Sequence, residues 1–513
     1  MRLAELVQTS VEVSRERGRN AKIGRLAELL RQLPAEERRV GVAYLSGELP
    51  QGKIGVGWAT VRELDNSASA PEAPSLTLSE VHAALGRVEE ASGSGSAARR
   101  RTILGELWAV ATEPERTFLS ALLRGEVRQG ALESVVLEAA AQATGVASAA
   151  VRRAAMLAGS AVEAVTALLD GGEAALAHYQ LAPFRPVLPM LASPTDDAAS
   201  AIEVLGEAAF EVKLDGARMQ AHKDGAEVRV YSRSLHDITE RVPEVVEHIL
   251  ALPFRRAILD GEAIALKPDG TPHPFQVSAR RFGRKLAVDE LRASLPLTPF
   301  VFDALLLDDQ VLLDAPARER LRALESVPAA LRAPSLITAD VDAAERFYAE
   351  VIGRGHEGLM AKSLDAPYDA GHRGSAWLKI KPAHTLDLVV LAVERGSGRR
   401  SGWLSNIHLG ARDEASPGGF AMVGKTFKGM TDAMLAWQTE RFTALARPGA
   451  LASPWVVELA PEQVVEVALN DVQVSTEYAS GVALRFARVR RYRDDKPASQ
   501  VATLAELTAL VKR

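Results

Sequence analysis

The chain reads as a multidomain protein of three units: an all-helical first third, a mixed α/β middle and a mostly β carboxy-terminal part. Three observations carry this. The 513 residues exceed what one hydrophobic core normally organises. Up to about residue 180, Ala, Leu, Glu and Arg dominate, with apolar residues three and four apart. Beyond that point short β-type runs appear, several closed by Asp-Gly turns, and from Leu386 strands dominate.

The helical unit is clearest in "IGRLAELLRQL" (Ile23 to Leu33) and "LESVVLEAAAQATGV" (Leu132 to Val146). The opening "MRLAELVQTSVEVSRERGRN" carries charge throughout, which predicts an amphipathic helix and not a signal peptide. "NSASAPEAPS" (Asn66 to Ser75) and "ASGSGSAARR" (Ala91 to Arg100) predict loops. No internal repeat is evident. "LAPFRPVLPMLASP" (Leu181 to Pro194) holds four prolines in irregular sequence and marks a boundary.

In the middle unit "AFEVKLDG", "ARMQAHKDGAEVRVYSR", "RRAILDGEAIALKPDG", "PFVFDALLLDD" and "HEGLMAKSL" predict strands. "DAAERFYAEVIG" predicts a helix with Gly353 as its C-cap. The third unit offers "LDLVVLAVERG", "SNIHLGARDE" and "FAMVGKTFKG", then the helix "DAMLAWQTERFTALA", then "VVELAPEQVVEVALNDVQVS" and "GVALRFARVRRY". Five strands with one helix after the third suit a small OB-type barrel. The boundaries expected are 1–182, 183–385 and 386–513.

Composition excludes several classes. The chain has no cysteine, so neither a disulfide framework nor a Cys-based zinc site is available, and an intracellular setting is expected. No run of 18 apolar residues exists, so no membrane-spanning helix is predicted. The net charge of −5 argues weakly against nucleic acid, but binding depends on a local basic face.

The stretch "FEVKLDGARMQ" (Phe210 to Gln220) sets a lysine at the end of an apolar strand. A lone Lys-x-Asp-Gly is ordinarily a surface lysine beside a turn. As a nucleophile, Lys213 has to present an unprotonated amine, which nearby cations, a metal or partial burial promote. The company it keeps decides between the two. In order follow Asp215-Gly216 and Arg218, Ser232-Arg233, Asp260-Gly261-Glu262, Phe302-Asp303, Glu357-Gly358-Leu-Met-Ala-Lys362 and Trp377-Leu-Lys379-Ile-Lys381. This set resembles the nucleotidyltransferase motifs of ATP-dependent DNA ligases and mRNA capping enzymes. "LRFARVRRYRDDK" (Leu484 to Lys496) resembles the last ligase motif. "LSGELPQGKIGVG" (Leu45 to Gly57) and "LLRGEVRQG" (Leu122 to Gly130) resemble the DNA-binding domain of larger ligases. The resemblance spans essentially the whole chain and is strongest to the three-domain actinobacterial enzymes usually called ligase B.

That resemblance implies a helical DNA-binding domain, an ATP-grasp-like nucleotidyltransferase domain and an OB-fold domain. It implies that Lys213 attacks the α-phosphorus of ATP and forms a lysyl-AMP, which passes to the 5′-phosphate of a nick before the 3′-hydroxyl closes the strand. It puts Glu211 on the adenine amino group and Phe302 against the adenine face. Arg218, Arg233 and Arg373 would hold ribose or phosphate, as forked donors do. Glu262 and Glu357 would hold Mg²⁺ (or Mn²⁺) together with substrate phosphates. Lys379 and Lys381 alternate along a strand, so both face the α-phosphate. Arg493, Asp495 and Lys496 would orient the diphosphate as the last domain closes; Ala487 stands where relatives often have proline. The partner implied is nicked duplex DNA, contacted by a monomer in the bacterial cytosol, nucleoid-associated and away from membranes. A hinge near "KPAHTLD" (Lys381 to Asp387) would carry the closing motion.

Rival readings are weaker. "GFAMVGKT" (Gly419 to Thr426) matches the P-loop pattern literally, but its loop positions are apolar and it reads as a strand. An NAD-dependent ligase carries a four-cysteine zinc site, which a cysteine-free chain cannot build, and a capping enzyme has no use for 180 helical residues ahead of its core. An inactive nick-binding scaffold of the same fold predicts a broken motif, and none is broken. An RNA-joining ligase is the remaining alternative, since backbone and shape readout leave no mark in a sequence.

Overall fold

The computed structural model describes residues 1–511 except 17, 53, 66–69, 128–132, 275–276, 279–280, 283–287, 371–372, 383 and 398–399. The first 176 residues fold as α-helices around one core that includes Leu3, Leu26, Tyr44, Leu85, Trp108 and Val165. The predicted opening helix is two helices, Leu3–Arg15 and Arg19–Gln32, because the chain turns extended at Glu16 and restarts at the Gly18 N-cap. The loop expected over Ala91 to Arg100 ends early: Gly95 takes a left-handed φ of 77°, and the Ser-Ala-Ala-Arg-Arg run, rich in helix formers, opens the helix Ser96–Val110.

Two of the quoted motifs in this unit form the same turn. The Glu48 N–H donates to the Ala43 carbonyl at 2.8 Å and the Gly47 N–H to Tyr44 at 3.1 Å. Glu126 and Gly125 repeat this on Ala121 and Leu122, at 2.8 and 3.0 Å. Both glycines have positive φ, as a Schellman helix end requires. The shared sequence is Leu-x-Gly-Glu-x-x-Gln-Gly, from Leu45 and from Leu123, too short to stand out as a repeat.

The middle unit consists of two five-stranded sheets. Its strands are β1 (Leu191–Thr195), β2 (Ala208–Lys213), β3 (Ala217–Asp224), β4 (Glu227–Ser232), β5 (Arg256–Ala265), β6 (Leu297–Leu307), β7 (Gln310–Val311), β8 (Ser335–Thr338), β9 (Gly358–Ser363) and β10 (Arg373–Ile380). One sheet runs β1-β10-β9-β2-β8, with β1 parallel to β10, and the other runs β4-β3-β5-β6-β7. The chain leaves the first sheet at Lys213 and enters the second at Ala217, so the Lys-Leu-Asp-Gly segment is the bridge between them.

The proline-rich boundary segment is irregular only as far as Met190, and its last residues form β1. Pro194 is tolerated there because β1 is an edge strand, where a missing N–H breaks no ladder. The helix Val341–Gly353 includes Gly353; Arg354 is its C-cap and Gly355, at φ 85°, is the left-handed residue. Met156 and Leu157, on the helix Ser148–Ala158, pack with Val187, Met190, Ile258 and Trp377 and so join the helical unit to the middle one. Burying two such side chains contributes roughly 1.5–3 kcal/mol each.

Among its described residues the carboxy-terminal unit has eight strands where five were expected. They are β11 (His384–Arg395), β12 (Leu404–Arg412), β13 (Phe420–Thr426), β14 (Val456–Glu458), β15 (Val464–Leu469), β16 (Asp471–Val474), β17 (Val482–Arg485) and β18 (Arg488–Arg493). Six form one sheet, in which β13-β12-β11-β15-β18 are consecutive and β14 also pairs with β11, while β16 and β17 form a separate hairpin. Pro461, which lacks an N–H, interrupts one long apolar run, and Phe486, at φ 55°, interrupts the other. The predicted helix lies after the third strand, at Asp432–Ala444, and buries Phe442 against Leu388, Val390 and Val467. The literal P-loop match is β13: Lys425 pairs with Glu394 at 2.8 Å and the Thr426 hydroxyl donates to the Ala487 carbonyl at 2.6 Å.

Candidate active site

Lys213 ends β2 where the two middle sheets diverge, and a cleft of about 650 Å³ opens there. Lining it are Glu211, Lys213, Arg218, Arg233, Glu262, Phe302, Glu357, Lys379 and Lys381. The structure therefore brings nine predicted residues together from both sheets. The tenth of that set, Arg373, opens β10 with its backbone opposite Leu191, and its side chain lies outside the described residues.

Two glycines let the backbone close up around the nucleophile. A Cβ on Gly216 would stand 2.2 Å from Ile264 Cγ2 and 2.4 Å from the Ala263 carbonyl oxygen. One on Gly358, at φ 146°, would stand 2.1 Å from the Ile380 carbonyl oxygen. The Asp-Gly and Glu-Gly pairs are thus set by the approach of β5 and β10. Opposite Gly358, the Lys213 carbonyl accepts from the Glu357 N–H at 3.2 Å.

At the outer end of the cleft, Glu357 contacts two lysines, Lys213 on one carboxylate oxygen and Lys381 on the other. Desolvation opposes its charge, but these two cations hold the carboxyl below its usual range. Glu262 lies on β5 opposite Arg218, and burial pushes its carboxyl up to about 8 against the pull of Lys213 and Arg218. Two carboxylates therefore line one cleft, and burial opposes the charge of both. That donor set fits a divalent cation held partly by substrate phosphates.

At the inner end, Glu211 pairs with Lys362 at 2.6 Å, both almost fully buried. The Lys362 ammonium also donates to the Phe302 carbonyl at 2.8 Å. Phe302 meets Trp377 edge to face at 6.0 Å. Arg218 lies over both rings, its fork engaged by Asp260 at 2.6 and 3.1 Å and its other arm by the Met190 carbonyl. Tyr368 in turn donates to Asp260 at 2.7 Å. Arg218 is thus a fixed wall with little of its fork left for a ligand, a narrower part than a free ribose or phosphate clamp. Arg233, just past β4, is the exposed arginine of the cleft.

The carboxy-terminal unit reaches the cleft through Arg485, 3.7 Å from Asp215, and through Phe486. Neither was singled out from the sequence for the site, although both stand in the quoted motif. Arg493, Asp495 and Lys496 are not brought to Lys213. Arg493 and Lys496 pair with Asp387 at 3.2 and 2.7 Å, and Arg493 pairs with Asp495 at 2.8 Å. Asp387 belongs to the segment expected to act as a hinge, of which residue 383 lies outside the described residues.

Sequence reasoning also missed Tyr368, which stands outside every motif, and the parts played by Asp260, Asp303 and Lys362. Asp303 holds Arg320 through a doubly bonded buried pair, 2.7 and 3.2 Å, that ties the helix Ala317–Leu324 to β6. The usable signal was a charged residue inside an apolar strand, which demands a partner.

Comparison with known proteins agrees with this geometry along the chain. Three family descriptions match in order: DNA ligase N terminus over residues 59–141, ATP dependent DNA ligase domain over 189–381 and ATP dependent DNA ligase C terminal region over 400–496. A protein of Anaeromyxobacter dehalogenans (strain 2CP-1) named "Probable DNA ligase" is 57% identical, covering 99% of this chain and 99% of its own length. One of the same name from Mycobacterium sp. (strain KMS) is 53% identical with 99% of each chain covered. A solved structure named Pmar-Lig_Pre shares the fold, with a TM-score of 0.63 at 18% identity over 95% of this chain and 99% of that one. With a helical amino-terminal region, a nucleotidyltransferase middle and a β carboxy-terminal domain, the chain belongs to the ATP-dependent DNA ligase family.

Proposed function

We propose that this enzyme seals 5′-phosphate/3′-hydroxyl nicks in duplex DNA through an AMP carried on Lys213. The observation that carries the reading is the contact of Glu357 with both Lys213 and Lys381 at the mouth of a cleft whose far end is an aromatic, base-sized recess. The Lys213 amine forms a bond to the α-phosphorus of ATP, and the bond to diphosphate breaks. The proton must leave Nζ before the attack, and the Glu357 carboxylate is in contact with it. Lys379 and Lys381 offset the charge that develops on the transferring phosphoryl group, where fixed cations contribute most. Glu211 reads the base edge, Phe302 stacks on the base, and Arg233 is the cation at the rim for ribose or phosphate. Glu262 and Glu357 would hold Mg²⁺ (or Mn²⁺), which when bound neutralises phosphate charge.

The AMP then passes to the 5′-phosphate of the nick, freeing Lys213, and the 3′-hydroxyl displaces AMP as the phosphodiester forms. We read the units as a DNA-binding domain (1–182), an ATP-grasp-like adenylation domain (183–385) and an OB-fold domain (386–513), acting as a monomer in the bacterial cytosol around the nucleoid. Arg493 and Lys496, with Asp495 beside Arg493, would serve the diphosphate only after the two cations leave Asp387. Among the described residues no helix is long and apolar enough to cross a membrane.

The test is self-adenylation with α-labelled ATP and Mg²⁺, run beside Lys213→Ala on a denaturing gel. A labelled band in the wild type and none in the variant supports the assignment, and a band in both overturns it. No band in either, after stripping bound AMP with diphosphate, supports a nick-binding scaffold instead. For the DNA partner, log affinity for nicked duplex should fall linearly with log salt, at about −0.9 per phosphate contact. A flat slope measured by fluorescence anisotropy would remove it.

A further inference from the structure

Lys362 is a lysine that the chemistry above does not use, and it is only 1% exposed. It projects from β9, in the register opposite Trp377. Its ammonium lies 4.4 Å from the Trp377 ring centroid and 4.6 Å from that of Phe302, while donating to the Phe302 carbonyl and to Glu211. Two ring faces and a carbonyl thus clamp the cation. The geometry fixes Glu211 in turn: Oε2 is spent on Lys362, which leaves Oε1 for a donor entering the cleft.

Buried ion pairs are weak contributors to stability, because desolvation offsets their attraction. A pair this dry, set where a purine would lie, has a different use. Adenine shows a 6-amino donor at its edge, whereas hypoxanthine and guanine show a 6-oxo acceptor. A carboxylate only accepts, whereas a neutral carboxyl also donates. We infer that Lys362 sets the base selectivity of the nucleotide site, by fixing Glu211 as a pure acceptor so that a 6-amino purine is taken and a 6-oxo purine refused. The inference rests on the reading of Glu211 as the residue that meets the base edge.

The surroundings of Glu211 make its charge depend on this one neighbour. Even with Lys362 in place, burial pushes its carboxyl up to about 7; Lys362 and Arg320 pull it down and Asp303 pushes it up. Asp303 and Arg320 neutralise each other in their own buried pair, so Lys362 is the cation left to hold Glu211 ionised. Without it burial is opposed less, so the carboxyl keeps its proton to higher pH and remains a donor for a 6-oxo group.

The experiment compares kcat/KM for self-nucleotidylation with α-labelled ATP and ITP, at pH 6.5 and 8.5, in the full-length wild type, Lys362→Met and Glu211→Gln. In Lys362→Met the preference for ATP over ITP should fall by about tenfold or more at pH 8.5, where the wild-type carboxyl is ionised, and change little at pH 6.5. Lys362→Gln makes the same comparison if the methionine variant does not fold. A lysine that only supports structure would weaken both nucleotides equally, and an unchanged ratio at both pH values overturns the inference. Glu211→Gln separates the two ways to fail. If that variant also leaves the ratio unchanged, the assignment of Glu211 to the base edge is wrong. If it collapses the ratio while Lys362→Met does not, Glu211 stands and only the part given to Lys362 falls.

Discussion

At one end of the cleft Glu211 meets Lys362, with 4% and 2% of the side chains exposed; at the other Glu357 meets Lys213 and Lys381, with each side chain near one-fifth exposed. The residue types are the same and both carboxylates touch lysine. Burial separates them. The inner pair is walled by Phe302 and Trp377 and can do little but hold still, whereas the outer set faces solvent and carries one cation more than its charge needs. The excess cation is what an anionic phosphate would meet. The comparison teaches that a lysine–carboxylate contact in a strand motif has no fixed meaning until its depth is known.

The sharpest way to break the comparison is Lys213→Arg. It keeps a cation on Glu357 but supplies no amine, so self-adenylation should fall at least about 10³-fold, read as label retained on the protein. A variant that still labels would make the outer set a mere charge cluster. Glu357→Gln is next. It leaves both lysines and removes the carboxylate between them, and single-turnover adenylation should slow by about 10²-fold.

For the inner end the measurable is stability. Asp303→Ala leaves Arg320, 1% exposed, without its carboxylate, and should cost about 3–5 kcal/mol of middle-domain stability in a denaturant titration. The exposed pair Arg153–Asp314 provides the contrast, since Asp314→Ala should cost less than about 1 kcal/mol. Equal losses would show that depth does not govern these pairs.

The smallest effect is a pH trend. The folded-state value for Glu262 is raised from 4.5 to about 8, so the folded protein binds that proton more tightly than the unfolded chain. The contribution is complete below about pH 4.5 and is lost as pH rises through about 8. Nucleotide-free protein should therefore lose melting temperature between pH 5 and 8, and Glu262→Gln should flatten that part of the curve. An unchanged slope would place Glu262 in water instead.

That Lys213, Glu262, Glu357 and Phe302 belong together was legible because each sits in a short motif whose order along the chain is itself a signal. What joins them was not. The partners Glu211 and Lys362, or Asp303 and Arg320, come from different elements and meet only through pairing of β2 with β9 and packing of a helix on β6. Arg485 and Asp215 come from different units. The strand count of the last unit was misjudged for a local reason: Phe486 adopts a left-handed backbone that an aromatic residue does not advertise. The P-loop pattern was set aside correctly because its apolar positions follow the alternation of β13.

The glycines beside the nucleophile have a bearing on how this chain can change over generations. At Gly216 and Gly358 even a methyl group would collide with backbone oxygen, which no neighbouring rotamer can relieve. Gly86 and Gly105, on the helices Leu78–Glu90 and Ser96–Val110, have ordinary helical φ and meet nothing within 4 Å. A saturation library selected for nick sealing should therefore return a rugged map, with two sites closed to every replacement and the helical glycines open to drift. The rim of the cleft is held constant by lack of space as much as by chemistry, so new base preferences have to arise from its floor.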